Sequence, residues 1–292
     1  MECISEYFIF NNETKSKEEF NEKYIYKGKS VYEVIKVKEG IPIFLEDHMD
    51  RVLLTLKLNK LELFISIEEI ISRIKTLISV NKIKNGNIKF ILNYNDDDKN
   101  FITYFIKHSY PTEDQYRNGV DSILYYAERK DPNSKVIDVD LRKAVNEEIK
   151  NRGVYEALLV NKQNFITEGS RSNIFFILGD KIITSPLKNV LPGVTRKWIF
   201  NICRELSIDI IEREVSVEEV KEFDGVFMTG TSPDALPIKK IENILYNSSN
   251  EKLMKIIMKK FKEETEEYIK KRSWNQLLFL LFTSVKIFFS IF

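Results

Sequence analysis

The chain is poor in the residues that build metal and disulfide sites. Cys3 and Cys203 are the two cysteines of its 292 residues, and His48 and His108 are the two histidines. Cysteines so far apart, without ligand-like spacing, argue against a disulfide framework or a zinc site, and no metal is expected. An excess of charge of one sign is also missing. With 45 basic and 44 acidic residues the formal net charge is +1, which gives no reason to expect nucleic acid or another polyanion as partner. The first residues, MECISEYFIF, lack a basic start and an apolar run ending in small residues. A secretory signal is therefore not expected, and the cytoplasm is the expected location. What remains is an ordinary globular composition, 43% hydrophobic and 30% charged, on a chain long enough for two domains.

One segment departs from this. Residues 273–292, SWNQLLFLLFTSVKIFFSIF, are far more apolar than anything before them. The run from Leu277 to Phe292 is shorter than the roughly 20 residues of a spanning helix, and Lys286 interrupts it. Membrane association through this tail is a poor fit, and a buried extension or an appended stretch is the plainer reading.

The rest reads as an α+β chain. Strand-like segments are expected at 4–10, 31–38, 87–94 and 101–108, with helices over 46–61 and 67–80, where apolar residues recur at helical spacing. Strands follow at 120–128, 156–161, 173–178, 208–212 and 225–229. Helices fit 138–152, 195–206, 217–223 and 251–272, and Gly153 is a natural C-terminal cap. The expected organisation is an N-terminal α/β lobe over 1–112, a polar linker over 113–119, a β-rich lobe over 120–272, and the apolar extension.

Four blocks carry chemistry. TEGSRSN, Thr167 to Asn173, sets the carboxylate of Glu168 at a strand end beside Gly169 and small polar residues, where backbone can approach a flat ligand. A carboxylate opposite a pyridine nitrogen keeps it protonated, so the ring can accept electrons. A hairpin turn with a solvated glutamate accounts for this heptad equally well. LPGVTR, Leu191 to Arg196, opens a helix at which Thr195 is expected to cap and the N–H groups of Val194 and Thr195 to bind an anion. MTGTSPDALP, Met228 to Pro237, follows a strand and offers Thr231 and Ser232 as donors. HMDR places Arg51 on a helix, suited to a bidentate grip on phosphate. Singly, each is also an ordinary cap, turn or surface arginine.

In this order the blocks resemble the class IV aminotransferases, a family that includes branched-chain aminotransferases, D-amino acid aminotransferases and aminodeoxychorismate lyases. The resemblance covers roughly residues 28–245. GKSVYEVIKV followed by EDHMDR is similar to the D-amino acid aminotransferase version, and YEALLVN…ITEGSRSNIF…LPGVTR…FMTGTSPDALP is dense and specific. It implies the two-lobed architecture of fold type IV enzymes, pyridoxal 5'-phosphate as cofactor, small amino and oxo acids as substrates, and a homodimer. It further implies that Arg51, Val194, Thr195 and Thr231 hold the cofactor phosphate, that Glu168 pairs with the pyridine nitrogen, and that Tyr32 is an active-site tyrosine.

The family's Schiff-base lysine follows a Lys-x-x-Asn pattern, which Lys143 with Asn146 fits literally; Lys135 with Asp138 fits only with Asp for Asn. Position favours Lys135. In the family the lysine precedes the whole helix that leads to the Gly-x-x-Glu-Ala strand, and Gly153 lies 18 residues beyond Lys135 but only 10 beyond Lys143. Helical periodicity agrees, since Lys143, Glu147 and Lys150 share a charged face apart from Leu141, Val145 and Ile149. A catalytic amine must instead be enclosed, because desolvation and nearby positive charge lower its pKa.

The expected reaction is transamination, with Lys135 as the covalent attachment and then the general acid–base. The substrate stays open between a branched-chain and a D-amino acid. D-amino acid aminotransferases carry an Arg-x-His carboxylate clamp after the strand near residue 93. Here the stretch reads ILNYNDDDKNF, without arginine, and Asp96–Asp98 read as a solvated turn. The N–H groups of Thr231 and Ser232 are the alternative carboxylate site. A lyase that eliminates pyruvate on the same lysine is the alternative activity, and a degenerate cofactor-binding protein the non-enzymatic one.

Overall fold

The structure, a computed structural model, describes residues 2–95 and 98–289, with side chains described as far as Ser273. Asp96 and Asp97 of the acidic turn therefore lie outside the described residues, as do residues 290–292 of the apolar tail. Among the described residues no helix is long and apolar enough to cross a membrane.

Two sheets organise the chain. The first holds β1 (Tyr7–Phe10), β2 (Glu13–Ser16), β3 (Lys29–Lys38), β4 (Ile41–Pro42), β5 (Gly86–Tyr94) and β6 (Lys99–Ile106), in the order β2-β1-β6-β5-β3-β4. A one-turn helix α1 (Lys23–Tyr26) precedes β3; α2 (Leu45–Leu58) and α3 (Ile67–Asn81) cover one face. Ser66 starts α3 with a capping box, its side chain accepting from Glu69 N–H while Glu69 accepts from Ser66 N–H.

Period-two alternation explains how β3 serves two layers. Val31, Ile35 and Val37 enter the core beneath α2 and α3, together with Ile88, Phe90 and Leu92 of β5. Tyr32 and Val34 point the other way, into a cavity. Glu33, fully buried, lies on the helix-facing side among these apolar neighbours and needs partners there.

After α4 (Glu113–Asn118), a short helix inside the segment read as a linker, the chain enters the second sheet. Its strands are β7 (Val120–Tyr126), β8 (Glu156–Val160), β9 (Phe165–Gly169), β10 (Asn173–Leu178), β11 (Lys181–Thr184), β12 (Asp209–Glu212), β13 (Val215–Ser216), β14 (Gly225–Gly230), β15 (Asp234–Ile241) and β16 (Ile244–Leu245). They run β12-β11-β10-β14-β15-β7-β8-β9-β13, with β16 on β15. The remaining helices are α5 (Val139–Arg152), α6 (Val194–Glu205) and α7 (Lys252–Phe289). The chain is thus α+β, as expected. Helix α7 runs on across the boundary drawn at residue 272.

The differences from the sequence reading are local. The 217–223 helix is one 3-10 turn, Glu219–Glu222. Strands β11 and β15 were not anticipated, and β9 was expected only as a strand ending at Glu168; β15 holds Pro237, which argues against a strand. Pro237 stands opposite Phe227 in the regular β14 ladder, and pairing with β7 begins only at Ile238, so at the proline β15 is an edge on its β7 side. Cys3 and Cys203 are buried free thiols.

Candidate active site

A cavity of about 550 Å³ opens between the two sheets, within the range that accommodates small ligands. Tyr32, Arg51, Lys135, Glu168, Val194, Thr195, Thr231 and Ser232 all line it. The structure therefore brings together every residue that the sequence singled out for the site.

Lys135 is held by both neighbouring layers. Val136 forms a bridge with Val31 of β3, and Tyr32 N–H donates to Lys135 O at 3.1 Å. Lys135 N–H reaches Thr55 Oγ1 of α2 at 3.4 Å, and Asn133 Nδ2 donates to the carbonyls of Leu187 and Val190 at 2.7 Å each. The side chain is left with exposure to the cavity alone, where Nζ stands 4.9 Å from the centre of the Tyr32 ring. Burial, with the positive charges of Arg51 and Arg129, lowers its pKa from 10.5 to about 8 against the opposing pull of Tyr32 and Glu33. Lys143 is exposed on α5, whose buried side is Val145 and Ile149, and it does not line the cavity.

Asp138, the departure from Lys-x-x-Asn, is the N-cap of α5. Its side chain accepts from Leu141 N–H at 3.1 Å. Asparagine and aspartate are comparable N-caps, so the exchange preserves the local structure. Gly153 closes the helix in the left-handed region, at φ 63°.

Glu168 ends β9 with its carboxylate buried. Arg129 NH1 donates to Oε1 at 3.2 Å and Leu191 N–H to Oε2 at 3.0 Å. Burial raises its pKa, and Arg129 and the Leu191 bond pull it back. Behind the 170–172 turn, Glu156 accepts from the hydroxyls of Ser170 and Ser172 at 2.6 and 2.8 Å and fixes the turn from below.

The LPGVTR block needs a correction. The N-cap of α6 is Gly193, and Thr195 lies in the first turn without a capping role. A Cβ on residue 193 would collide with Asn173 Oδ1, so glycine fits there for want of room, and a hydroxyl cap cannot be accommodated. The anion site survives the correction. The first helical bond runs from Lys197 N–H to Gly193 O at 3.0 Å, which leaves the N–H groups of Val194 and Thr195 without helical acceptors at a positive helix end.

Arg51 is buried and already forked onto Glu33, with Nε to Oε1 at 2.7 Å and NH2 to Oε2 at 2.6 Å. The bidentate grip read for a ligand is thus made to protein. NH1, outside the fork, donates to Pro192 O at 3.4 Å, and Arg51 lines the cavity. Burial opposes ionisation of Glu33, yet Arg51 and the bonds from Arg51 and His48 hold it at about 2. His48 Nδ1 lies 2.8 Å from Glu33 Oε2, and burial lowers the imidazole pKa.

The 231–233 turn joins the lobes. Thr231 Oγ1 donates to Val34 O at 3.3 Å, Asn87 donates to Ser232 Oγ at 2.7 Å, and Lys36 pairs with Asp234 at 2.7 Å. The β14–β15 ladder ends at Gly230 and Asp234, so the turn's own N–H groups are outside it.

Sequence reasoning missed Glu33, His48, Arg129 as the partner of Glu168, and Arg142. A signal existed for the first pair. A glutamate alternating with Val31 and Ile35 falls on a buried face, and His48 and Arg51, three apart, fall on one helix face. Arg142 donates to Tyr32 Oη at 2.9 Å, a contact 110 residues apart that no local pattern announces.

Three comparisons bear on this geometry. The family model described as "Amino-transferase class IV" matches residues 30–241. A D-alanine aminotransferase of Bacillus licheniformis is 24% identical over 226 residues, covering 74% of this chain and 80% of that protein. An aminodeoxychorismate lyase of Bacillus subtilis (strain 168) is 24% identical over 285 residues, 88% of this chain and 93% of the relative. Among solved structures, a branched-chain amino acid aminotransferase of Escherichia coli superposes with a TM-score of 0.80 at 22% identity, covering 89% of this chain and 95% of that one.

Proposed function

The chain belongs to the class IV aminotransferase family, and from that premise we propose that it is a pyridoxal phosphate-dependent aminotransferase acting between a small amino acid, branched-chain or D-configured, and a 2-oxo acid. The observation that carries the reading is the enclosure of Lys135 in one cavity with a buried carboxylate on one side and free donors on the other.

The residues present fit the cofactor. Buried Thr229 Oγ1 lines the cavity and has no hydrogen-bond partner among the described residues, an unmatched polar atom where a ligand is due. Arg51 NH1, the N–H groups of Val194 and Thr195, and Thr231 would hold the phosphate. Glu168, fixed by Arg129 and Leu191, would keep a proton on the pyridine nitrogen. When bound, the cofactor supplies an electron sink for charge that develops at the substrate α-carbon.

The chain's own residues do the rest. The amine of Lys135 would hold the cofactor and, with the amino substrate in place, would take the proton from the substrate α-carbon and return one in the reverse direction. Desolvation keeps a useful part of that amine neutral. Tyr32 packs against the lysine and limits its travel, while the 231–233 turn closes the cavity against β3 and β5. A homodimer is part of the same reading.

The similarity to the Bacillus subtilis lyase over 285 residues supports a second activity on the same lysine, elimination of pyruvate from an aminodeoxychorismate-like substrate. One experiment separates them. The purified chain is loaded with pyridoxal phosphate and given a panel of amino donors with and without a 2-oxo acid. Amino-group transfer that requires the oxo acid supports the aminotransferase; pyruvate released from a single substrate supports the lyase; no spectral change with any donor overturns both.

A further inference from the structure

The groups assigned to the cofactor phosphate come from two lobes. Arg51 belongs to α2, which packs on the first sheet, and the N–H groups of Val194 and Thr195 open α6 of the second lobe. Such a divided cradle grips one anion only if the two helices keep a fixed mutual register, because hydrogen bonds weaken steeply with misalignment. Beside the cavity the halves are tied by the bond from Arg51 NH1 to Pro192 O, which at 3.4 Å is long and weak.

A stronger junction lies one helical turn away. Asp47 stands four residues before Arg51, and Trp198 four residues after Val194, so each shares a helix face with a cradle residue. Trp198 Nε1 donates to Asp47 Oδ2 at 2.8 Å, and Lys197 pairs with Asp47 Oδ1. The indole also stacks on Phe44, with centroids 4.2 Å apart and the rings 23° from parallel. Phe44 is the N-cap of α2, buried and left-handed at φ 53°, a conformation that a bulky residue keeps only where its surroundings hold it. Those surroundings belong to the second lobe: besides Trp198, Phe261 and Tyr268 of α7 meet the ring edge-on at 5.9 and 5.1 Å. Tyr268 Oη accepts Leu45 N–H at 3.0 Å, one of the donors a helix start leaves without a partner. Helix α2 therefore begins in the core of the second lobe and continues, through Met49, Val52 and Leu56, into that of the first.

We propose that Asp47 and Trp198 are positioning residues for the cofactor phosphate, their junction setting Arg51 against the α6 N–H groups so that both meet one anion. This rests on the reading that those groups hold the phosphate. Neither Asp47 nor Trp198 lines the cavity, so both act through the helices that carry the cradle. Loosening the junction weakens the grip on phosphate and leaves the ring to Glu168 and Lys135, whose hydrogen bonds involve neither residue.

Pyridoxamine and its 5'-phosphate differ by this one anion, and neither carries the aldehyde, so the ratio of their affinities reads the cradle apart from covalent attachment. Both are titrated calorimetrically to the full chain, unmodified and as Trp198→Phe and Asp47→Asn. Trp198→Phe keeps a ring on Phe44 and removes the N–H donor; Asp47→Asn keeps the shape and removes the charge. The preference for the phosphorylated form is expected to fall about ten-fold in each, the worth of one charge-assisted hydrogen bond, with pyridoxamine affinity unchanged. Lys143→Ala, on the exposed side of α5, keeps the full preference. A preference unchanged in both variants overturns the proposal. So does an equal loss for the two compounds, which would make the junction a support for the fold alone. Asp47→Asn, nearly isosteric, carries the test by itself if Trp198→Phe does not fold. Equal affinities in the unmodified chain overturn the cradle itself and this proposal with it, so the two failures are distinguishable.

Discussion

Replacing Lys135 by alanine, and Lys143 by alanine in a second variant, separates the two lysines that fit the family pattern. The structure supplies the magnitude. An amine with its pKa lowered from 10.5 to about 8 is neutral to roughly one part in ten at pH 7, against about three parts in ten thousand for an unperturbed lysine. That is roughly a 300-fold advantage in attack on an aldehyde, before any gain from orientation. The assay mixes the chain with pyridoxal phosphate, reduces the covalent linkage with borohydride at short times, and maps the labelled peptide by mass spectrometry. Label is expected on Lys135 alone, lost in Lys135→Ala and retained in Lys143→Ala. The rate of attachment should rise with pH and level off just above pH 8. Label on Lys143 would refute the assignment. A rate that climbs without a break through pH 10 would refute the desolvation argument even if Lys135 were labelled.

Two further outcomes follow from the buried carboxylates. Glu168→Gln removes the negative charge expected opposite the pyridine nitrogen and should lower turnover by about a hundred-fold or more while cofactor is retained; unchanged turnover at full loading would exclude that pairing. Glu33→Gln leaves Arg51 without its counter-charge in a buried place, where breaking a pair costs about 3–5 kcal/mol. The pH dependence has a definite sign: a carboxyl held at about 2 against an ordinary 4.5 contributes stability that is fully present above about pH 4.5 and lost as pH falls toward 2. The loss is worth about 3 kcal/mol, and Glu33→Gln should lack it. Thermal melts of both proteins from pH 7 to pH 3 measure this, and parallel acid profiles would contradict it.

Much of the site was legible because its residues stand in short blocks at the ends of regular elements. The choice of Lys135 needed only the distance to Gly153 and the charged face of α5, and both features are local. Asp138 looked like a chemical change next to the lysine and proved to be a helix cap, a role that aspartate and asparagine share. Thr195 was misread because a threonine near a helix start is a common cap. The true cap, Gly193, is set by the approach of Asn173 from another strand. The illegible contacts all join distant segments. Arg129 meets Glu168 across 39 residues, and Arg51 meets Glu33 between a strand and a helix whose packing decides which donors remain for a ligand. Strand β15 was hidden by Pro237, which is tolerated because pairing with β7 begins only after it, at Ile238.

Charge shows the same limit of averages. The chain as a whole is balanced at +1, which gives no ground for expecting a polyanionic partner. The cavity is not balanced: six lysines and arginines line it against three glutamates. A whole-chain sum cannot reveal this, because it averages over the many residues that do not line the cavity. Arg51, Arg129 and Lys135 are shielded from bulk solvent and weakly screened, whereas Lys107, Arg142 and Arg171 are exposed and more strongly screened. A phosphate at the α6 end of the cavity, beside Arg51 and the N–H groups of Val194 and Thr195, would match part of such an excess. The excess of cations is therefore itself a statement about the ligand: the cavity suits one that carries negative charge.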